Sequence, residues 1–159
     1  MPHEYTTIKH VHVKKNSAAY DLLRNFDVKI SNFATPILRF KKRGMVDENG
    51  LTNFGKLAIT SAELGLRIPT TMMIAWAFLE HQNLTPHDID CPVSLELRKK
   101  LRFTWKYNTV KMLVSELAHK GFLRRTGHKG QILFNHGMIE TLRGATYFQD
   151  VIDNLSYIK

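Results

Sequence analysis

Residues 92–135 read PVSLELRKKLRFTWKYNTVKMLVSELAHKGFLRRTGHKGQILFN, and the order of signals in this stretch decides the fold. Ser94 is a short polar residue placed to cap a helix over residues 94–101, whose apolar positions are Leu95, Leu97 and Leu101. Thr104 opens a longer helix to Lys120. In it Val110, Leu113, Val114 and Leu117 fall at i, i+3, i+4 and i+7, the spacing of one buried helix face. The opposite face carries Lys106, Tyr107, Asn108, Lys111 and Ser115. Gly121 permits a left-handed exit, Phe122 to Arg125 and Gln131 to Asn135 form two strands, and residues 126–130 (TGHKG) connect them.

The charge sharpens this segment. The chain has 159 residues and a formal net charge of +9. Residues 92–131 alone carry +8, residues 1–43 carry +6, residues 44–91 carry −4 and residues 132–159 carry −1. A basic cluster is most often a solvated face; here it coincides with a helix, helix, hairpin order, which turns it toward phosphate.

Outward from the hairpin, residues 70–81 (TTMMIAWAFLEH) are apolar on nearly all sides and follow Pro69, which predicts a central core helix. Met72, Met73 and Trp76 there are packing residues. Asn83 to Pro92 reads as a polar loop. Further upstream, Asn16 or Ser17 caps a helix to about Phe26 with Tyr20, Leu22, Leu23 and Phe26 as its stripe. A second helix follows Ser31, holds Phe33, Ile37 and Phe40 on one side and ends at Gly44 after Arg39, Lys41, Lys42 and Arg43. Residues 47–50 (DENG) signal a turn, and Leu51 to Leu64 reads as helix up to Gly65. Residues 5–15 alternate through Ile8, Val11 and Val13 as a short strand or extended arm.

This arrangement resembles the winged helix-turn-helix family, in particular MarR-like regulators, over about residues 70–140. The shared mark is a helix closing on "hydrophobic, basic, Gly, hydrophobic, hydrophobic, Arg" before a basic hairpin. By position, residues 70–81 match the first helix, 94–101 the second, 104–120 the recognition helix and 124–131 the wing. The resemblance implies a mainly α fold with a small β-hairpin and binding to double-stranded DNA. A helix fits the major groove, where Asn pairs with adenine and Lys or Arg with guanine. Asn108 and Lys111 are then the base-reading residues, with Lys106 and Tyr107 reaching bases or phosphates and Thr104 at the start of the same helix. Arg124, Arg125, His128 and Lys129 would hold backbone or minor groove from the wing, and Arg98, Lys99, Lys100 and Arg102 phosphates beside the second helix.

Two features lie outside that stretch. Aligning Gly44 with Gly121, an offset of 77, sets Phe33 on Val110, Ile37 on Val114, Phe40 on Leu117, Arg43 on Lys120, Met45 on Phe122 and Val46 on Leu123. Leu51-Thr52-Asn53-Phe54-Gly55-Lys56 is similar to the segment that follows a wing in MarR-like proteins. The N-terminal region, residues 1–66, is therefore either a second, degenerate winged helix or a helical extension that completes the core of a winged-helix domain at 67–136. The acidic turn at 47–50, where a wing would be basic, favours the extension. At the other end, residues 137–159 read as one helix whose stripe of Phe148, Val151, Ile152, Leu155 and Ile158 either packs on its own domain or makes a homodimer.

Other chemistries are poorly served. Cys91 is the single cysteine, so no intramolecular disulfide or cysteine-rich zinc site exists and a reducing cytoplasm is the expected compartment. The apolar run Met72 to Leu79 is too short to cross a bilayer, and the N-terminal sequence MPHEYTTIKHVHVKK has no apolar secretion core. His10 and His12 lack an accompanying carboxylate or thiol, and His87, Asp88, Asp90 and Cys91 lack the paired spacing of a zinc site. No phosphate-binding loop, nucleophile elbow or HExxH is present. The expectation is a non-enzymatic, cofactor-free transcriptional regulator on duplex DNA, with a plasmid or phage replication initiator or partition protein, or a winged-helix protein-interaction module, as alternatives.

Overall fold

The computed structural model describes residue 15 and residues 17–26, 35–81, 91–97, 99, 107–126 and 131–155, the side chains of 35–37, 91 and 107–109 excepted. The described chain is mainly helical with two small antiparallel sheets. Its elements are α1 (Ala18–Arg24), α2 (Thr35–Lys42), β1 (Val46–Asp47), β2 (Gly50–Leu51), α3 (Asn53–Leu64), α4 (Ile68–His81), β3 (Cys91–Pro92), α5 (Tyr107–His119), β4 (Leu123–Arg125), β5 (Ile132–Phe134), a 3-10 turn (His136–Met138), α6 (Ile139–Arg143) and α7 (Phe148–Asp153).

α4 is the centre of the fold. Every residue from Ile68 to Phe78 is buried, as a helix apolar on all sides requires. It packs against α3, α5 and α7. α3 reaches it through a left-handed Gly65, φ +69°, and the two helices share a buried hydroxyl pair, Ser61 Oγ donating to Thr71 Oγ1 at 2.7 Å. α5 docks through Leu113, Val114 and Leu117, with Val110 half-buried. Its Glu116 faces α4, accepting from Thr70 Oγ1 and lying 3.3 Å from Arg67 Nε.

β3 is a correction to the loop read at 83–92. Cys91 pairs with Phe134 and Pro92 with Leu133, so the sheet order is β3-β5-β4. Two residues carry no periodicity; distant pairing alone makes them a strand. After β3 the Ser94 side chain accepts from Leu97 N at 3.0 Å and caps a helical turn at residues 95–97. Ser94 is itself tied to Glu80 at the end of α4 through its backbone N–H and its hydroxyl.

At the N-terminus Ser17 caps α1, accepting from Tyr20 N at 3.1 Å. Tyr20 and Leu23 are buried, whereas Leu22, read as part of the stripe, is exposed because it lies a quarter-turn off that face. Residues 5–14 and Phe33 fall outside the described residues. Leu51, read as helix, pairs with Val46 in a strand, and α3 begins instead at the Thr52 cap.

The expected single C-terminal helix is broken between α6 and α7. The Thr146 N–H is drawn to Glu63 Oε1 of α3, at 2.7 Å, instead of continuing a helical ladder. Phe148, Val151, Ile152 and Leu155 are all buried inside the chain, on α3 and α4.

The ends of α2 and α5 share one geometry. Gly44 and Gly121 are both left-handed, at φ +77° and +88°. Gly44 N donates to Lys41 O and Gly121 N to Ala118 O, each at 3.1 Å. Met45 N donates to Phe40 O and Phe122 N to Leu117 O, each at 2.9 Å. Such helix ends are common. The match continues into the closure of the following hairpin: Thr52 N donates to Met45 O and Asn135 N to Phe122 O, each at 3.0 Å. The Thr52 hydroxyl and the Asn135 amide then donate to the carbonyls of Gly44 and Gly121, while their oxygens cap the next helical turn at Gly55 N and Gly137 N. The first hairpin stops at the Asp47–Gly50 pair, whereas the second continues past Arg124–Leu133 to Arg125–Ile132.

Candidate nucleic-acid interface

Burial of Leu113, Val114 and Leu117 against α4 fixes which side of α5 faces outward. That side presents Lys111, Met112, Ser115 and His119, all exposed. The acidic member of this stretch, Glu116, is turned toward α4 and held by Arg67 and Thr70, so it leaves the outer face cationic. Arg67 Nη1 also lies 3.6 Å from Met112 Sδ.

β4 joins this surface through Arg125. Arg124 and Arg125 are exposed while Leu123, at the strand start, is buried. Arg125 is laid across α5: its Nη2 donates to Lys111 O at 3.2 Å and to Ser115 Oγ at 2.5 Å. A guanidinium fixed by two bonds leaves its remaining donors pointed in a set direction, which suits recognition of a fixed array of anionic oxygens. Hairpin and helix therefore act as one cationic unit rather than two independent tails.

Of the residues singled out in the sequence, Lys99, Lys111, Arg124 and Arg125 are described and exposed, and Lys111 and Arg125 are brought together. Tyr107 and Asn108 lie on the α5 backbone, their side chains outside the described residues. Arg98, Lys100, Arg102, Thr104, Lys106, His128 and Lys129 fall outside the described residues altogether. Sequence reasoning passed over His119, which extends the same face, over Lys120, whose Nζ reaches to Gly65 in the α3–α4 turn, and over the cations at the end of α2, which it read only as helix-dipole partners. Their signal was available: Lys120 aligns with Arg43.

A second polar cluster is buried under β5. His81 stacks on Phe134 with ring centroids 5.2 Å apart, and His136 sits edge-on to both. Burial pushes the His81 imidazole below its ordinary pKa, aided by His136 and opposed by Glu80 and a bond to the Pro92 carbonyl. Among the described residues no group of three or more His, Cys, Asp or Glu side chains is placed to hold a metal ion. His10, His12, His87, Asp88 and Asp90, and the Cys91 side chain, lie outside the described residues. Among them, too, no helix is long and apolar enough to cross a membrane.

Comparison of the chain with protein-family models, curated proteins and solved structures gives no match.

Proposed function

We propose that the chain is a winged helix-turn-helix protein that binds double-stranded DNA and serves as a transcriptional regulator. The observation that carries this reading is the combination of topology and charge. Helix α4, strand β3, a capped helical turn, helix α5 and the β4–β5 hairpin follow in that order, with β3 paired to β5, and the outward faces of α5 and β4 are both cationic. In this reading α5 enters the major groove, Asn108 and Lys111 read bases, and Arg124, Arg125, His128 and Lys129 hold backbone or minor groove. Arg98, Lys99, Lys100, Arg102, Thr104, Lys106 and Tyr107 supply the flanking contacts.

The test is binding of the full chain to duplex DNA at low salt, followed by selection of preferred sequences from random duplexes. Replacing Asn108 and Lys111 with Ala should erode sequence preference, whereas Arg125→Ala with Lys129→Ala should weaken all sequences alike. Absence of duplex binding at low salt would overturn the proposal. The matching closure of the first hairpin favours a second reading, a plasmid or phage replication initiator or partition protein. Selected sites gathered at a replication origin rather than at promoters would decide for it.

A further inference from the structure

We infer that the end of α2 is a second phosphate-gripping surface, so that the protein holds one duplex through two copies of the same helix-and-hairpin unit. This rests on the DNA-binding reading above and adds to it a contact in the N-terminal half. Three observations lead there.

The first is the repeated geometry. Helix end, left-handed glycine and buried residue pair recur at an offset of 77, and the closing and capping residue recurs six positions later in the second copy, Thr52 against Asn135, because the second hairpin is longer. A unit repeated in this way carries its helix end into the same local setting, where Lys42 stands in the place of His119 and Arg43 in that of Lys120, all four exposed.

The second is charge left unmet. Arg39, Lys41, Lys42 and Arg43 place four cations in five residues, all exposed. Among the described residues none of their side chains has an ion-pair or hydrogen-bond partner. Neighbouring Asp47 instead accepts from Asn49 N at 2.8 Å and holds its own turn. Like charges so close repel one another, and an external polyanion relieves that repulsion.

The third is what the first copy lacks. Its hairpin is cut short at Asp47–Gly50 and carries exposed Asp47 and Glu48 in place of the second copy's Arg124 and Arg125. The turn would be repelled by phosphate, so contact falls to the helix end alone. Four flexible or forked cations without a basic wing suit backbone oxygens, a contact that positions without reading sequence.

The experiment measures the affinity of the full chain for random-sequence duplex DNA as a function of salt. The Lys41→Ala/Lys42→Ala/Arg43→Ala variant should lower the slope of log K against log salt by about 0.9 for every phosphate no longer neutralised, and by the same amount on every duplex. Arg143→Ala, an exposed cation on α6, serves as control and should leave the slope in place. Lys41→Arg/Lys42→Arg should retain it as well. If wild type binds and the triple variant keeps the full slope, or if Arg143→Ala lowers it equally per charge, the second surface is refuted while the DNA-binding reading stands. If wild type fails to bind duplex at low salt, both fall.

Discussion

Gly55 sits so close to Met45 that the Cβ it lacks would collide with the Met45 carbonyl oxygen. That approach is backbone on backbone, so neither side can rotate away. It exists because Thr52 bonds back to Gly44 while capping α3, which pulls the first turn of the helix onto the end of α2. Gly55→Ala is therefore expected to destabilise the fold by about 3 kcal/mol, the upper range for overpacking. Gly44→Ala meets open space and strains only a left-handed φ of +77°, costing about 1–2 kcal/mol. Urea unfolding of both variants checks the order; a Gly44 variant less stable than the Gly55 variant would contradict it.

Glu63 is the tie between three parts of the chain. Its carboxylate accepts from Tyr20 Oη at 2.8 Å, from Arg24 Nη1 at 2.7 Å and from Thr146 N and Oγ1, each at 2.7 Å. Burial alone would raise its pKa, but the Thr146 and Tyr20 bonds and the Arg24 charge outweigh it and hold the carboxyl below its ordinary value. Its contribution is thus complete above the unfolded pKa and is lost as pH falls through the folded one. Glu63→Ala should cost about 2–3 kcal/mol through lost charge-assisted bonds. Arg24→Ala should cost clearly less, because water already screens a guanidinium that lies largely in solvent. Chemical denaturation at neutral and acid pH measures both, and the Glu63 deficit should shrink in acid.

His81 acts on the same, acid side of the pH profile but at a higher pH. Burial disfavours the charged imidazole in the folded state, while the unfolded chain takes up a proton below about pH 6.5. Stability is therefore full above that value and falls as pH drops toward the depressed folded pKa, by at most about 1.4 kcal/mol per pH unit. His81→Leu loses the Pro92 bond, about 1 kcal/mol at high pH, but no longer titrates. The wild-type advantage over this variant should shrink between about pH 7 and pH 5, and parallel curves would refute the assignment.

Phe148 separates the two roles open to the C-terminal stripe. It is 2% exposed and meets Phe78 edge to face at 5.3 Å, within one chain. Phe148→Ala should then cost about 3–5 kcal/mol of folding stability. Unchanged stability together with altered size in gel filtration would assign the stripe to association between chains instead.

The elements legible beforehand were those written in local chemistry. Ser17 and Ser94 cap where a short polar side chain precedes an apolar period, Gly44, Gly65 and Gly121 end helices where only a left-handed residue serves, and the apolar residues of α4 lie at its centre. The outward cations of α5 were legible for the same reason, since the buried period of Leu113, Val114 and Leu117 fixes the opposite side. Tertiary structure alone decided the rest. Cys91 and Pro92 become a strand only because Phe134 and Leu133 lie opposite, and α6 parts from α7 because Glu63, far away in sequence, claims the Thr146 N–H. Arg125 is a fixed rather than a wandering cation because Lys111 and Ser115 hold it. A period or a cap depends on neighbours within a few residues, which the chain order supplies; a partner across the fold depends on where the core brings distant residues together.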